Sequence, residues 1–151
     1  MTDQVEFVRD YMSTKLITFT PDIDIRLAIQ TLLKHKISGA PVIDEQGILV
    51  GMLSEKDCIR VLIDGPYNQR PSAQGDVGDY MSRKIKTITA GSRIMDAAYQ
   101  FVHTPYRRFP VLDNGKLVGQ ISRRDVLRAI DKRRPAVNQV PSSWKNREPT
   151  F

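Results

Sequence analysis

Apolar residues recur at helical spacing in two separate stretches of this chain. In the first stretch they occupy positions i, i+3, i+4, i+7 and i+8, which are Ile25, Ala28, Ile29, Leu32 and Leu33. The second stretch fills the same positions with Ile94, Ala97, Ala98, Phe101 and Val102. Because this spacing puts the five side chains on one side of a helix, it predicts two amphipathic helices that each pack on a core.

Each predicted helix is followed by two apolar runs with a polar turn between them. The turns are Asp44-Glu45-Gln46-Gly47 and Asp113-Asn114-Gly115. Turn residues between two apolar runs are typical of β-hairpins, which we predict over 40–53 and 109–121.

Further short elements surround the helix and hairpin of each half. We predict a short strand before each helix, at 16–18 and 85–87, and a last helix from Ser54 and from Ser122. Each half then has the order strand, helix, strand, strand, helix. The predicted fold class is α/β, in the α+β arrangement of two pseudo-symmetric units packed into one module.

The two halves are copies of one another. Residues 8–62 return at 77–130 with one residue deleted. Such self-similarity predicts two copies of one small unit that pack together, so the seam between them is the place to look for function. The predicted organisation is repeat 1 over 1–63, a linker over 64–76, repeat 2 over 77–131 and a flexible, basic, proline-containing tail over 132–151.

Composition places the chain among globular proteins. The 151 residues are 40% hydrophobic, and no apolar run reaches the length of a membrane span. We expect a cytoplasmic protein without a membrane partner. The single cysteine, Cys58, forms no internal disulfide, and its spacing from His35 and His103 matches no metal site. We predict that Cys58 packs on a helix and that both histidines lie at helix ends.

The net charge of +6 is concentrated near the end of the chain. From Gln120 onward there are 8 Lys and Arg against 3 Asp and Glu, whereas the earlier part is nearly balanced. The repeats carry no basic stripe with interleaved aromatic residues of the kind that follows a nucleic-acid backbone. The charge distribution therefore argues against nucleic acid as a partner.

A motif of the form G-x-h-S-x-x-D, where h is apolar, opens the last helix of each copy. It covers 51–57 and 119–125. One interpretation is a capping box, in which serine and aspartate satisfy the first amides of the helix. The other is a ligand site, because a hydroxyl at a helix N-terminus suits phosphate and a carboxylate one turn further suits ribose hydroxyls. The local spacing fits both interpretations.

The full order of motifs resembles the CBS domain, named after cystathionine β-synthase. Both copies contain D-Y-M-S, an amphipathic helix, P-V-h-D, G-x-L-V-G and S-x-x-D in that order. The resemblance covers about 8–130 and implies a stand-alone tandem pair, a Bateman-type module, with two clefts. Such clefts typically bind adenosine nucleotides or related ligands such as S-adenosylmethionine.

The resemblance also implies which residues line cleft 1, the cleft that contains Asp125. Around the base it places Thr14, Lys15, Leu16, Ile37, Ser38 and Pro41. At the phosphate and ribose it places Arg108, Ser122, Arg124 and Asp125.

In cleft 2, which contains Asp57, the two copies exchange roles. The resemblance places the loop 82–85, with Arg83, Lys84 and Ile85, around the base together with Tyr106, Arg107 and Pro110. It places Ser54 and Asp57 at the sugar, with Lys56 nearby. Gly39 stands where the other copy has Arg108, which leaves Lys56 as the expected cation. We therefore expect cleft 1 to prefer the charged ligand. Solvated surface charges are the alternative role for Arg107 and Arg108.

These residues predict a binding protein and not an enzyme. The sequence shows no nucleophile paired with a base and no glycine-rich phosphate loop. The expected function is a regulatory sensor that binds AMP, ADP, ATP or S-adenosylmethionine, without a catalytic cofactor, and acts on an unknown partner protein. The alternative is a constitutive interaction adaptor with empty clefts and a docking tail. The resemblance implies a homodimer, with Ile59, Leu62, Val126, Leu127 and Ile130 available on the last helices.

Overall fold

The computed structural model describes residues 5–67 and 75–133, with side chains described outside 64–67. Copy 1 contains α1 (Ile25–His35), β1 (Gly39–Ile43), β2 (Leu49–Ser54) and α2 (Glu55–Tyr67). Copy 2 contains α3 (Val77–Tyr80), β3 (Ile88–Thr89), α4 (Ile94–His103), β4 (Arg108–Asp113), β5 (Lys116–Ser122) and α5 (Arg123–Lys132). In copy 1 the position equivalent to α3 is occupied by a single 3₁₀ turn, Val8–Asp10. The α+β fold and both hairpins are confirmed.

Two boundaries differ from the sequence predictions. Helix α2 runs to Tyr67, four residues into the predicted linker, and the remainder of that linker up to residue 74 lies outside the described residues. The predicted tail is described only as far as residue 133. Neither the short 3₁₀ turn nor α3 was predicted, because a single turn of helix is too short to show periodicity.

The short strands predicted at 16–18 and 85–87 are wrong, because each was placed about three residues too early in the chain. The extended pairing occurs three residues later, where β3 pairs in parallel with β4, and Phe19 makes a single parallel bridge to Val42. The apolar residues of the predicted strands, such as Leu16 and Ile85, line the cavities described below. Their hydrophobicity therefore serves a cavity wall and not a sheet.

Helices α1 and α4 confirm the predicted amphipathic pattern, but with a narrower buried face. Ile25 and Ile94 at the first position are buried, whereas Leu33 and Val102 at the last position are 73% and 79% exposed. The last position lies at the edge of the apolar stripe, where the helix turns away from the core. As predicted, His35 and His103 end their helices.

Cys58 packs in the core of copy 1, as predicted. Its side chain is buried on α2. Burial raises the pKa of its thiol to about 11, and the neighbouring charges of Asp57 and Glu55 add to the effect. Because the thiolate is the reactive form, this cysteine is a packing residue with little nucleophilic character at neutral pH.

Each copy begins with a segment that packs on the other copy. Val8, from the start of repeat 1, is fully buried in the core of copy 2, and its N–H donates to the Ser92 carbonyl. Val77, from the start of repeat 2, is fully buried in the core of copy 1, and its N–H donates to the Ile23 carbonyl. The first residues of each sequence repeat therefore belong structurally to the core of the other copy.

Isolated β-bridges show that exchange of the two copies is a pseudo-twofold operation. Four bridges form two matched pairs, Ser13–Gln120 with Ser82–Met52, and Phe7–Arg93 with Asp76–Asp24. A further bridge, Ile48–Lys116, joins equivalent positions of the two hairpins and is its own counterpart. A contact that maps onto itself lies on the pseudo-twofold axis. The seam is therefore symmetric, with one side equivalent to the other.

Candidate functional site

Cleft 1 is a cavity of about 320 Å³ at the seam of the two copies. Copy 1 and the segment before it supply Ser13, Lys15, Leu16, Ile17, Ile37 and Gly39. Copy 2 supplies Arg108, Gln120, Ser122 and Asp125. The apolar side chains lie together on the copy 1 side, and the motif serine and aspartate lie on the other.

Cleft 2 is a cavity of about 410 Å³ on the equivalent side of the seam. Copy 1 supplies Ser38, Gly39, Met52, Leu53, Ser54 and Asp57, and copy 2 supplies Ser82, Lys84, Ile85, Lys86, Tyr106, Arg107, Arg108 and Pro110. Both cavities have the size of small-molecule sites, which lie in the range of about 300–1,000 Å³.

The two clefts are equivalent position by position. Every residue that lines cleft 1 has its repeat counterpart in the lining of cleft 2. The counterparts differ in character at five places: Lys86 replaces Ile17, Tyr106 replaces Ile37, Met52 replaces Gln120, and Gly39 and Arg108 replace each other. The duplication has therefore produced two versions of one site with different charge and aromatic content.

The S-x-x-D motifs form capping boxes, as one of the two interpretations predicts. The Ser122 N–H donates to Asp125 Oδ2 at 2.8 Å, and the Asp125 N–H donates to Ser122 Oγ at 3.2 Å. In copy 1 both the N–H and the hydroxyl of Ser54 donate to Asp57 Oδ2 at 2.9 Å. These bonds fix each carboxylate at the cleft wall, so capping and ligand binding are compatible roles.

The carboxylate of Asp125 is already paired within the protein. Its Oδ1 forms an ion pair with Nη2 of Arg128 at 2.8 Å. The same Nη2 also donates to the Tyr11 carbonyl at 3.1 Å. The Tyr11 hydroxyl in turn donates to Glu6 at 2.6 Å, and this bond, with burial and the Glu6 charge, raises the pKa of Tyr11 to about 12. A ligand hydroxyl that reaches Asp125 must share it with Arg128.

The carboxylate of Asp57 has a free side. Arg60 stands where copy 2 has Arg128, yet within residues 5–63 and 75–133 no ion pair joins it to Asp57. Oδ1 of Asp57 accepts no hydrogen bond from these residues either. Cleft 2 therefore offers a carboxylate oxygen that a ligand can use without competition.

The distribution of cations corrects the expectation that Lys56 is the phosphate-side cation of cleft 2. Cleft 1 is lined by Lys15 and Arg108, whereas cleft 2 is lined by Lys84, Lys86 and Arg107 in addition to the same Arg108. That expectation was wrong because Arg108 reaches both clefts from its place in β4 and because Lys86, which was not predicted, also lines cleft 2. The preference of cleft 1 for a charged ligand stays a prediction.

The structure brings most of the predicted site residues together. Lys15, Leu16, Ile37, Arg108, Ser122 and Asp125 line cleft 1, and Lys84, Ile85, Tyr106, Arg107, Pro110, Ser54 and Asp57 line cleft 2. Their roles toward a ligand stay predictions. The remaining predicted residues do not line their cleft, and these are Thr14, Ser38, Pro41, Arg124, Arg83 and Lys56.

Simple geometry explains why four of these six residues do not line the cleft predicted for them. Lys56 and Arg124 immediately precede the motif aspartates, and neighbours on a helix point about 100° apart, so they are exposed outside the clefts. Pro41 is fully buried in its strand, and Ser38 lines the opposite cleft.

The sequence reasoning missed some lining residues although a signal was available. Ile17 and Lys86 directly follow the predicted Leu16 and Ile85 and line equivalent places. Gln120 and Met52 lie inside the G-x-h-S-x-x-D motif and also line the clefts. Applying the repeat alignment to each cleft would have found all four. Within the described ranges there is no group of three potential metal ligands and no helix that could span a membrane.

Two copies of one α+β unit that enclose a pair of equivalent clefts define a tandem-repeat module with its sites at the seam. The family model of the CBS domain matches residues 8–64 and 77–132. The chain therefore belongs to the CBS domain family and contains two CBS domains, as the motif order predicts.

Three relatives illustrate the similarity. The chain is 33% identical over 125 residues to the uncharacterized protein MJ1225 of Methanocaldococcus jannaschii, covering 83% of this chain but 43% of that protein. It is 30% identical to the CBS domain-containing protein YhcV of Bacillus subtilis, covering 88% and 85%. The crystal structure of CBSX2 from Arabidopsis thaliana in complex with AMP superposes with a TM-score of 0.74 at 30% identity, covering 84% and 97%.

Proposed function

We propose that this protein is a regulatory module that binds an adenosine ligand, namely AMP, ADP, ATP or S-adenosylmethionine, in the clefts between its two CBS domains. The observation that carries the proposal is the repeated cleft lining, with a fixed carboxylate, a serine hydroxyl and at least one cation beside apolar side chains. The AMP complex of CBSX2, which is similar over 97% of that chain, supports this class of ligand.

Each part of such a ligand has a chemical counterpart in the lining. A fixed carboxylate accepts hydrogen bonds from ribose hydroxyls, and a serine hydroxyl with a cation suits phosphate. In cleft 2 the exposed ring of Tyr106 offers a flat surface for a base. None of these groups needs to react, so we assign a binding role and no catalytic one.

Titration calorimetry with AMP tests the proposal. We expect saturable binding by the wild type, and binding about 10- to 100-fold weaker at cleft 1 in Asp125→Ala and at cleft 2 in Asp57→Ala. The expected loss corresponds to roughly 1.5–3 kcal/mol for hydrogen bonds to a charged group. ADP, ATP and S-adenosylmethionine, titrated in the same way, rank the ligands.

Asp96→Ala is the matched control. Asp96 forms a capping box at the start of α4, accepting from the Arg93 N–H at 3.0 Å, and lies outside both clefts. It should lose cap stability without losing ligand affinity. A folded wild type that binds none of the four ligands would overturn the proposal and make the motifs capping boxes only.

We also propose that the protein forms a homodimer through its paired helices. Leu33 and Leu62 on α1 and α2 are each 73% exposed, and Val102 on α4 is 79% exposed. Four of the predicted interface residues are exposed in the same way, whereas Val126 is buried in the core of copy 2 and is unavailable. Exposed apolar side chains on adjacent helices are typical of surfaces covered by a second copy.

Sedimentation velocity tests the dimer. We expect the wild type to sediment as a dimer and the double variant L62E/V102E to sediment as a monomer, because charge is costly inside an apolar interface. Ile48→Glu is the control, since Ile48 is 47% exposed at a hairpin end, away from the helices. If the wild type sediments as a monomer at a protein concentration on the order of 10⁻⁵ M, the proposal is overturned.

We propose that the bound state acts on a partner protein from a cytoplasmic location. A ligand can do so only if it prefers one arrangement of the two copies or of the dimer. The seam suits this role because both clefts join residues of both copies, so a ligand there contacts the two halves at once.

A further inference from the structure

Arg108 occupies a place that no other cation of the described residues shares. It begins β4, is half-buried and lines both cleft 1 and cleft 2. Its Nη2 donates to Ser38 Oγ at 2.9 Å, across the seam between the copies. One guanidinium therefore stands between two sites that the pseudo-twofold axis makes equivalent.

Copy 1 supplies no second cation at the equivalent position. The repeat counterpart of Arg108 is Gly39, which also lines both clefts. A Cβ at Gly39 would lie 2.9 Å from the Leu53 carbonyl oxygen, a backbone atom of the paired strand. The strand pair of copy 1, as it stands, is too close for a side chain at this position, and the described linings of the two clefts have one such arginine between them.

The clefts depend on this arginine to different degrees. Cleft 2 has Lys84, Lys86 and Arg107 of its own, whereas cleft 1 has only Lys15 in its described lining. The Ser38 hydroxyl that holds Arg108 belongs to the lining of cleft 2. A guanidinium binds one phosphate best when both of its donors point at that phosphate.

We propose that Arg108 is a shared phosphate-binding residue through which the two clefts compete. This inference rests on the proposed function. A phosphorylated ligand in cleft 2 holds Arg108 and weakens binding of a second phosphorylated ligand in cleft 1. By linkage, occupancy of cleft 1 weakens cleft 2 by the same factor. An adenosine without phosphate makes no demand on Arg108, so the clefts bind it independently.

A thermodynamic cycle with AMP measures the competition. Asp57→Ala and Asp125→Ala report the AMP affinity of each cleft while the other is disabled, and the wild type reports both together. We expect the product of the two AMP association constants of the wild type to be about tenfold smaller than the product of the two single-cleft association constants. This difference, the AMP deficit, is within the usual range of coupling between sites. The same cycle with adenosine should close without a deficit.

Two further variants locate the cause. In Arg108→Gln the AMP deficit should disappear, and a cooperative urea transition like that of the wild type shows that the variant is folded. Arg107→Gln, whose side chain lines only cleft 2, should weaken cleft 2 and keep the deficit. An AMP deficit that persists in Arg108→Gln would assign it to repulsion between phosphates and overturn the inference, as would two independent AMP sites in the wild type.

These outcomes are separable from failure of the proposed function. Absence of binding by adenosine and by all four ligands of the proposed function overturns both the function and the inference. If both AMP and adenosine bind and the AMP cycle shows no deficit, only the inference is overturned.

Discussion

A fragment of residues 14–82 is expected to unfold in a cooperative urea transition, whereas a fragment of residues 1–67, of nearly the same length, is expected to show none. The first fragment contains the complete core of copy 1, including Val77, Tyr80 and Met81 from the start of repeat 2. The second follows the sequence repeat and loses these three side chains. Circular dichroism during urea titration distinguishes the two.

The expected difference is large because the lost side chains are buried. Burying each of them contributes roughly 1.5–3 kcal/mol, and a small domain has a total stability of only about 5–15 kcal/mol. Within the 14–82 fragment, Val77→Asp should abolish the transition and Leu33→Asp, at a position 73% exposed, should preserve it. Equal stability of the two fragments would show that the folding unit is the sequence repeat.

Gly119→Ala is expected to reduce the free energy of unfolding by about 1–3 kcal/mol, the usual effect of overpacking a core. A Cβ there would lie 2.7 Å from Met12 Sδ and 2.8 Å from the Ser13 carbonyl oxygen. Ser13 cannot withdraw without breaking its bridge to Gln120, whose two backbone bonds measure 2.9 and 3.0 Å. The motif glycine is thus required by the segment that crosses from the other copy.

Urea unfolding of three matched variants checks this explanation. At Gly91 the nearest atom to an added Cβ is the mobile Arg9 guanidinium at 3.7 Å, so Gly91→Ala should be nearly neutral. At Gly51 an added Cβ would lie 2.5 Å from Met81 Sδ, the flexible end of a side chain, but 3.1 Å from the nearest backbone atom, the Ser82 oxygen. Because the backbone contact is looser than at Gly119, Gly51→Ala should have an intermediate effect. A loss at Gly91 as large as that at Gly119 would contradict the role of the crossing segment.

The elements that the sequence predicted well are those with a local signal. The helices over 25–35 and 94–103 and both hairpins depend on periodicity and turn residues, which a single stretch of chain contains. The strands at 16–18 and 85–87 failed because a short apolar run serves a cavity wall as well as a sheet. Short runs do not distinguish these environments.

The candidate site was predicted in the same uneven way. The motif residues Ser54, Asp57, Ser122 and Asp125 lie at the cleft walls, because a capped helix start fixes their geometry locally. The cations of cleft 2 were predicted incompletely, because the alignment assigns Arg108 to cleft 1 alone. In the structure its side chain reaches both.

The amino-acid order alone was enough to predict the helices, the hairpins and the capped motif that opens each last helix, because each depends on residues close together in the chain. The duplication was visible because one stretch of sequence can be compared directly with another. Which segment completes which core, and which cations face which cleft, became clear only from the packing of the two copies. Those features depend on contacts such as that between Arg108 and Ser38, which are 70 residues apart. A local pattern does not contain such a contact, because its geometry exists only once the two copies have packed together.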